Sequence, residues 1–148
     1  MVLGRDQPET RRTDGGTFMS WEYRYFTSDE LVCKCGCGAG LDIMDIDRDL
    51  LVKLSALREQ VGPLAIVSGA RCAAHNQVAG GKALSAHLTV PGTVQCRAVD
   101  IRCTDSSSRG KLLPFVYQHF SRVGLHKSFI HVDVATGPEY GQAVTWFY

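Results

Sequence analysis

The chain has 148 residues, 45% of them hydrophobic, and a formal net charge of +1. That length is enough to bury one core, so one globular domain is expected, and the near balance of charge offers no basic face for a polyphosphate partner. The opening MVLGRDQPETRRTDGG lacks the apolar stretch of a secretory signal, and no segment approaches the roughly 20 apolar residues of a membrane span; the chain is therefore expected to be cytoplasmic as synthesised, with neither a membrane span nor a nucleic-acid partner.

Residues 1–22 are largely polar, carry Pro8 and the Gly15-Gly16 pair and show no apolar period, which predicts a flexible arm ahead of a domain over 23–148. Tyr25 to Glu30 reads as an apolar entry into a short capped turn, with Thr27 as N-cap and Glu30 three residues on. From Asp45 to Val61 the apolar residues Ile46, Leu50, Leu54, Leu57 and Val61 recur every three or four positions, the strongest helix pattern in the sequence. Gly62-Pro63 ends it, and Leu64 to Ser68 is short and apolar enough for a buried strand. Ala70 to Val78 predicts a shorter helix, stopped by Gly80-Gly81. Arg97 to Arg102 and Ile130 to Val134 alternate as strands do, and a helix is expected between Ser106 and Arg122, started or kinked by Pro114. The tail Ala143 to Tyr148 is β-prone and is expected to close the sheet. No internal repeat is visible.

Six cysteines are many for this length, and three of them, Cys33, Cys35 and Cys37, alternate within CKCGCG. Without a secretory signal, reduced thiols are favoured over a disulfide framework. A structural zinc site is the other option, although zinc sites usually space thiolates by two residues or more, since two separated by one residue rarely both reach a single ion. A thiol-based redox or metal-storage protein built on this motif is a further reading.

His131 and Asp133, two apart on a predicted strand, project to one face. Histidine supplies a neutral nitrogen ligand and a neighbouring carboxylate orients it from behind, which suits a metal site; the plainer reading is a salt-bridged pair on a half-exposed strand. Ser85-Ala86-His87 follows a glycine-containing turn, and Asp100 lies inside an apolar strand. A buried carboxylate needs a partner, and the candidates are a divalent cation or an arginine, Arg71 or Arg97. His87, Asp100 and His131 together form a set of three ligands that leaves a fourth position for water, as catalytic zinc requires.

The succession YFTSDE, CKCGCG, SGARCAAHN with the following GG, then S-x-H, A-x-D and FIHVDV resembles the zinc D-alanyl-D-alanine carboxypeptidase-like peptidases, which share a fold with the hedgehog signalling domain. The resemblance runs from Tyr25 to Tyr148. It implies one zinc ion per chain on His87, Asp100 and His131, a substrate-binding arginine at Arg71 and an active-site histidine at His126. Chemistry gives those residues sensible roles. Arg71 forks onto a peptide carboxylate or a developing oxyanion, with a structural ion pair as the alternative, and His126 moves protons near neutral pH. Ser85 is placed beside the substrate and Asp133 behind His131.

Three features depart from the family pattern. Leu88 to Arg97, with Pro91, Gly92 and Cys96, forms an extra loop between His87 and Asp100. Ser128 stands where many relatives carry an acidic general base; a serine cannot replace a carboxylate, so either His126 takes that work or the enzyme is slow. Cys96 and Cys103 flank Asp100 as competing ligands. The expected fold is α+β: a small, mainly antiparallel sheet with packed helices and the zinc site on its open face, hedgehog/DD-peptidase-like. The function implied is hydrolysis of a peptide bond in the peptidoglycan stem peptide by a monomeric enzyme, of D-Ala-D-Ala carboxypeptidase or L-Ala-D-Glu endopeptidase type. Phage endolysins are among such relatives, and wall degradation after release is the implied setting. The alternative is a non-catalytic, zinc-stabilised module of the same fold.

Overall fold

The structure is a computed structural model that describes residues 9–12 and 18–148. Three short antiparallel strands open it: β1 (Glu9–Arg12), β2 (Phe18–Tyr23) and β3 (Phe26–Thr27). The arm expected over 1–22 falls partly outside the described residues. Within them the chain is already in this sheet at Glu9, and Trp21 of β2 is fully buried. An aromatic flanked by polar residues gives no periodic signal, which is why the sequence reading starts the fold later. Helix α1 (Ser28–Leu31) follows at once, with Glu30 Oε2 accepting from Thr27 N at 3.1 Å, as its capped-turn pattern predicts.

Helix α2 (Arg48–Val61) buries Leu50, Leu54 and Leu57 completely, the stripe its spacing demands. It begins at Arg48 rather than Asp45. Asp45 closes a 3₁₀ turn, Ile46 bridges to Cys96, and Asp47 caps the helix, its Oδ1 accepting from Asp49 N at 2.8 Å. Arg58 near its end pairs with Glu30 at 2.6 Å and lies 3.9 Å over the Phe26 ring, tying α2 to the small sheet.

The main sheet contains β4 (Ile66–Ser68), β5 (Ala98–Arg102), β6 (Arg122–Leu125), β7 (Phe129–Asp133) and β8 (Thr145–Phe147), in the order β4-β5-β7-β6-β8. Only the edge pair β6–β8 is parallel, so the sheet is mixed and mostly antiparallel, and the fold is the expected α+β. Helix α3 (Ala73–Val78) starts three residues later than predicted, because Arg71 pairs with Leu88 in an isolated bridge. Helix α4 (Ser106–His119) is capped by Asp105, contains Pro114 within its continuous length and ends before Arg122. Arg122 instead opens β6, a strand over residues to which the sequence analysis assigns no element beyond the end of that helix.

One face of the sheet carries Val99, Ile101, Val123, Ile130 and Val132, all fully buried in the core with Leu50, Leu54, Leu57 and Val116 from α2 and α4. Alternation along each strand sends the intervening residues to the other face. There the ladder pairs Ser68 with Asp100, Asp100 with His131, His131 with Gly124 and Gly124 with Trp146. These five residues form a single row across all five strands.

Candidate metal centre and its cleft

Three ligand atoms meet in the middle of that row. His87, which precedes the extra loop, brings Nε2 to 3.2 Å from Asp100 Oδ1 and 3.2 Å from His131 Nδ1, and His131 Nδ1 lies 3.0 Å from Asp100 Oδ1. All three residues are buried. The remaining nitrogen of each ring faces a group that only accepts: His87 Nδ1 lies 2.8 Å from Gly69 O, and His131 Nε2 lies 2.8 Å from Asp133 Oδ2. Those nitrogens carry the hydrogens, so in neutral rings His87 Nε2 and His131 Nδ1 turn lone pairs toward the Asp100 carboxylate. Three acceptors this close need a proton or a cation between them. Zinc bonds of about 2.0–2.1 Å put tetrahedral ligand atoms about 3.3 Å apart, so the donor set fits zinc in both chemistry and spacing.

The electrostatics agree with this geometry. Burial lowers the His87 pKa below the usual imidazole value, against the pull of Asp100. Burial pushes His131 the same way, but hydrogen bonds to Asp100 and Asp133 outweigh it and its pKa is raised. Burial acting alone would raise Asp100; its bonds to His131 and His87 prevail and hold it well below the carboxylate range. Each carboxylate is anchored from behind by an arginine. Arg71 Nη2 reaches Asp100 Oδ2 at 3.0 Å, and Arg122 Nε reaches Asp133 Oδ1 at 2.6 Å.

Arg71 thus makes the ion pair that was the alternative to a substrate role, while Nε reaches Ser68 Oγ at 2.9 Å and Nη1 reaches Asn76 Oδ1 at 3.4 Å. A hydrogen on each Nη is left over. Arg97 does not compete for Asp100, since its Nη2 donates to Tyr140 OH at 3.0 Å. Ser85 Oγ accepts from His87 N at 3.2 Å and so braces the ligand's backbone. His126 sits in the β6–β7 turn, where Nδ1 accepts from Ser128 N at 3.1 Å and lies 2.9 Å from Ser128 Oγ. Its ring stacks on Phe129 at 4.3 Å between centroids.

Arg71, Ser85, His87, Asp100, His126 and His131 all line one open cleft of about 970 Å³, together with Lys34, Lys82 and Trp146. None of the loop Leu88–Thr93 lines it. That loop docks instead on the 3₁₀ turn, with Gly92 N 3.3 Å from Asp45 Oδ1, while Cys96 N lies 2.7 Å from Asp45 O. Cys96 and Cys103 are not ligands of this centre either, since their thiols point to the carbonyls of Ala98 and Asp105.

Sequence reasoning missed Trp146 and Arg122 at this site. Trp146 lies 5.2 Å from the His131 ring between centroids, and it lies there because its row neighbour is Gly124. A Cβ on Gly124 would fall 2.6 Å from the indole. The glycine facing an aromatic in the β-prone tail is a signal visible only once the strands are paired.

A buried His-Asp-His centre on the open face of a mixed sheet, with a cleft above it, defines a metallopeptidase-like site. The chain belongs to the peptidase M15 family, whose family model matches residues 24–133. That span takes in all three candidate metal ligands and both anchored carboxylates. No curated protein matches the chain.

Proposed function

We propose that this chain is a zinc-dependent hydrolase of a peptide bond in the peptidoglycan stem peptide, of the carboxypeptidase or endopeptidase type. The observation that carries the reading is the convergence of His87 Nε2, Asp100 Oδ1 and His131 Nδ1 within one open cleft. Zinc bound there supplies Lewis acidity and activates water for attack. The remaining tasks fall to the chain. Arg71, held by Ser68, Asn76 and Asp100, offers its spare N–H groups to a substrate carboxylate or oxyanion. Lys34 and Lys82 line the same cleft and add positive charge suited to the carboxylates of a wall peptide. His126 accepts from Ser128 at Nδ1, so its neutral ring offers the Nε2 hydrogen to the substrate and serves the proton transfers. The same reading makes the protein a monomer that is synthesised in the cytoplasm and reaches the wall after release, in the manner of a phage endolysin.

The test is clearing of a peptidoglycan gel by the purified chain, with and without chelator. Clearing that is lost on chelation and returns with zinc is expected, and mass spectrometry of digested muropeptides identifies the bond. The second reading, a non-catalytic module, draws on Ser128, which holds His126 by hydrogen bonds but has no carboxylate to act as a base. A folded, zinc-loaded chain that clears nothing would establish the module in place of the enzyme.

A further inference from the structure

The cysteines of CKCGCG do not stand apart from Cys72. The Sγ atoms of Cys33 and Cys35 lie 3.4 Å apart, those of Cys35 and Cys72 lie 3.6 Å apart, and all four sulfurs, Cys37 included, fall within 4.8 Å of one another. The four thiols are unbridged. Zinc–sulfur bonds of about 2.3 Å place tetrahedral thiolates about 3.8 Å apart, so the cluster has the size of a four-cysteine zinc site. The spacing argument against two thiols on one ion fails here for a backbone reason. Gly36 and Gly38 take φ of 81° and 94°, a left-handed conformation that L side chains rarely adopt, and the chain coils tightly enough for alternate cysteines to face inward.

Two backbone N–H groups also point at sulfur. Cys72 N lies 3.5 Å from Cys33 Sγ, and His75 N lies 3.4 Å from Cys72 Sγ. Such bonds stabilise thiolate charge and orient ligands around a metal. The site joins two parts of the chain that are 35 or more residues apart, the loop after α1 and the start of α3. Both carry cleft residues: Lys34 lies between two of the cysteines, Arg71 immediately precedes Cys72, and His75 is on α3.

We propose that Cys33, Cys35, Cys37 and Cys72 bind a second, structural zinc ion that holds one wall of the cleft. With four protein ligands this site is closed, and it contributes to folding rather than to hydrolysis. This goes beyond the hydrolase reading and stands whether or not the chain cuts peptides.

Elemental analysis of the full chain purified under reducing conditions is expected to give about two zinc ions per chain, the sum of one closed and one open site. Cys72→Ser and His87→Ala should each lower the count by about one and remove different ions. Cobalt(II) replacement separates them, because the near-ultraviolet thiolate-to-metal absorption should vanish in Cys72→Ser and persist in His87→Ala. Should Cys72→Ser fail to fold, the unaltered protein still decides. Its four clustered thiols should resist alkylation until a chelator is added. A single zinc per chain with these thiols freely alkylated, or mass spectrometry showing them paired as disulfides, would overturn the proposal.

Discussion

His131 Nε2 lies 2.8 Å from Asp133 Oδ2, a contact that leaves Nδ1 as the nitrogen with which His131 could meet a metal. The carboxylate accepts only, so the hydrogen stays on Nε2 and the Nδ1 lone pair faces Asp100. Asp133→Asn removes this discrimination, because an amide can either donate or accept. The variant should fold and bind zinc at the histidine centre roughly 10–100-fold more weakly, as read by titration against a competing chelator. An unchanged affinity would show that the β-ladder alone orients the ring.

His126 lines the cleft without joining the three ligand atoms, so its removal separates proton transfer from metal binding. His126→Ala should keep its zinc and its fold and lose about 10²–10⁴ in turnover on peptidoglycan. Hydrolysis at the unaltered rate would make His126 a bystander and leave Arg71 as the residue to pursue.

Gly124 is the gap that Trp146 fills. Gly124→Ala would place a methyl 2.6 Å from the indole, and the rigid ring has to move off the sheet. The expected cost is about 1–3 kcal/mol, in the range of other overpacked sites, measured by chemical denaturation. Trp146→Ala in the Gly124→Ala background should recover little of the indole's own contribution but should abolish the clash, so the two changes are expected to be non-additive. Strict additivity would rule out the steric account.

Asp105 caps α4 by accepting from Ser108 N at 2.7 Å and Ser108 Oγ at 2.8 Å. Those bonds, the backbone one first, lower its pKa. A carboxylate with a depressed folded pKa adds stability above its unfolded value of about 3.9 and loses it as pH falls through the folded value. Asp105→Ala should therefore be less stable than the unaltered chain near neutral pH, and the gap should close in acid below about pH 4. Urea denaturation of both proteins across this pH range checks this; a gap independent of pH would mean that the cap acts without its charge.

Much of the site could be read from sequence where chemistry and periodicity coincide. The i, i+2 pair His131 and Asp133 needed only the strand alternation around it, and the stripe of α2 needed only its spacing. The ion pair from Arg71 to Asp100 was one of two open alternatives, since a buried carboxylate calls for a cation without saying which. Strand β6 stayed hidden because Arg122-Val-Gly-Leu125 is four residues with a glycine and has no pattern of its own; its partners make it a strand. The cysteine cluster was obscured by the same kind of gap. Ligand spacing rules describe ordinary backbone, whereas the loop there turns on two left-handed glycines and collects its fourth sulfur from 35 residues downstream of Cys37.

The row from Ser68 to Trp146 also determines where the chain tolerates a change of length. Because strand side chains alternate, a residue inserted within β5 or β7 would swing Asp100 or His131 to the helix-covered side and bring a core valine or isoleucine into the cleft. No compensating point substitution restores both faces. The loop between His87 and Asp100 is tied to the site only at its start, where Leu88 bridges to Arg71 and the buried Thr89 Oγ1 donates to His87 O at 2.9 Å; its exposed tip, residues 91–93, lies outside the row and the cleft, so residues can be added or removed there while His87 and Asp100 keep their places. A peptide tag or a reporter grafted at its Pro91-Gly92 tip would thus ride on the flank of the domain with the cleft undisturbed.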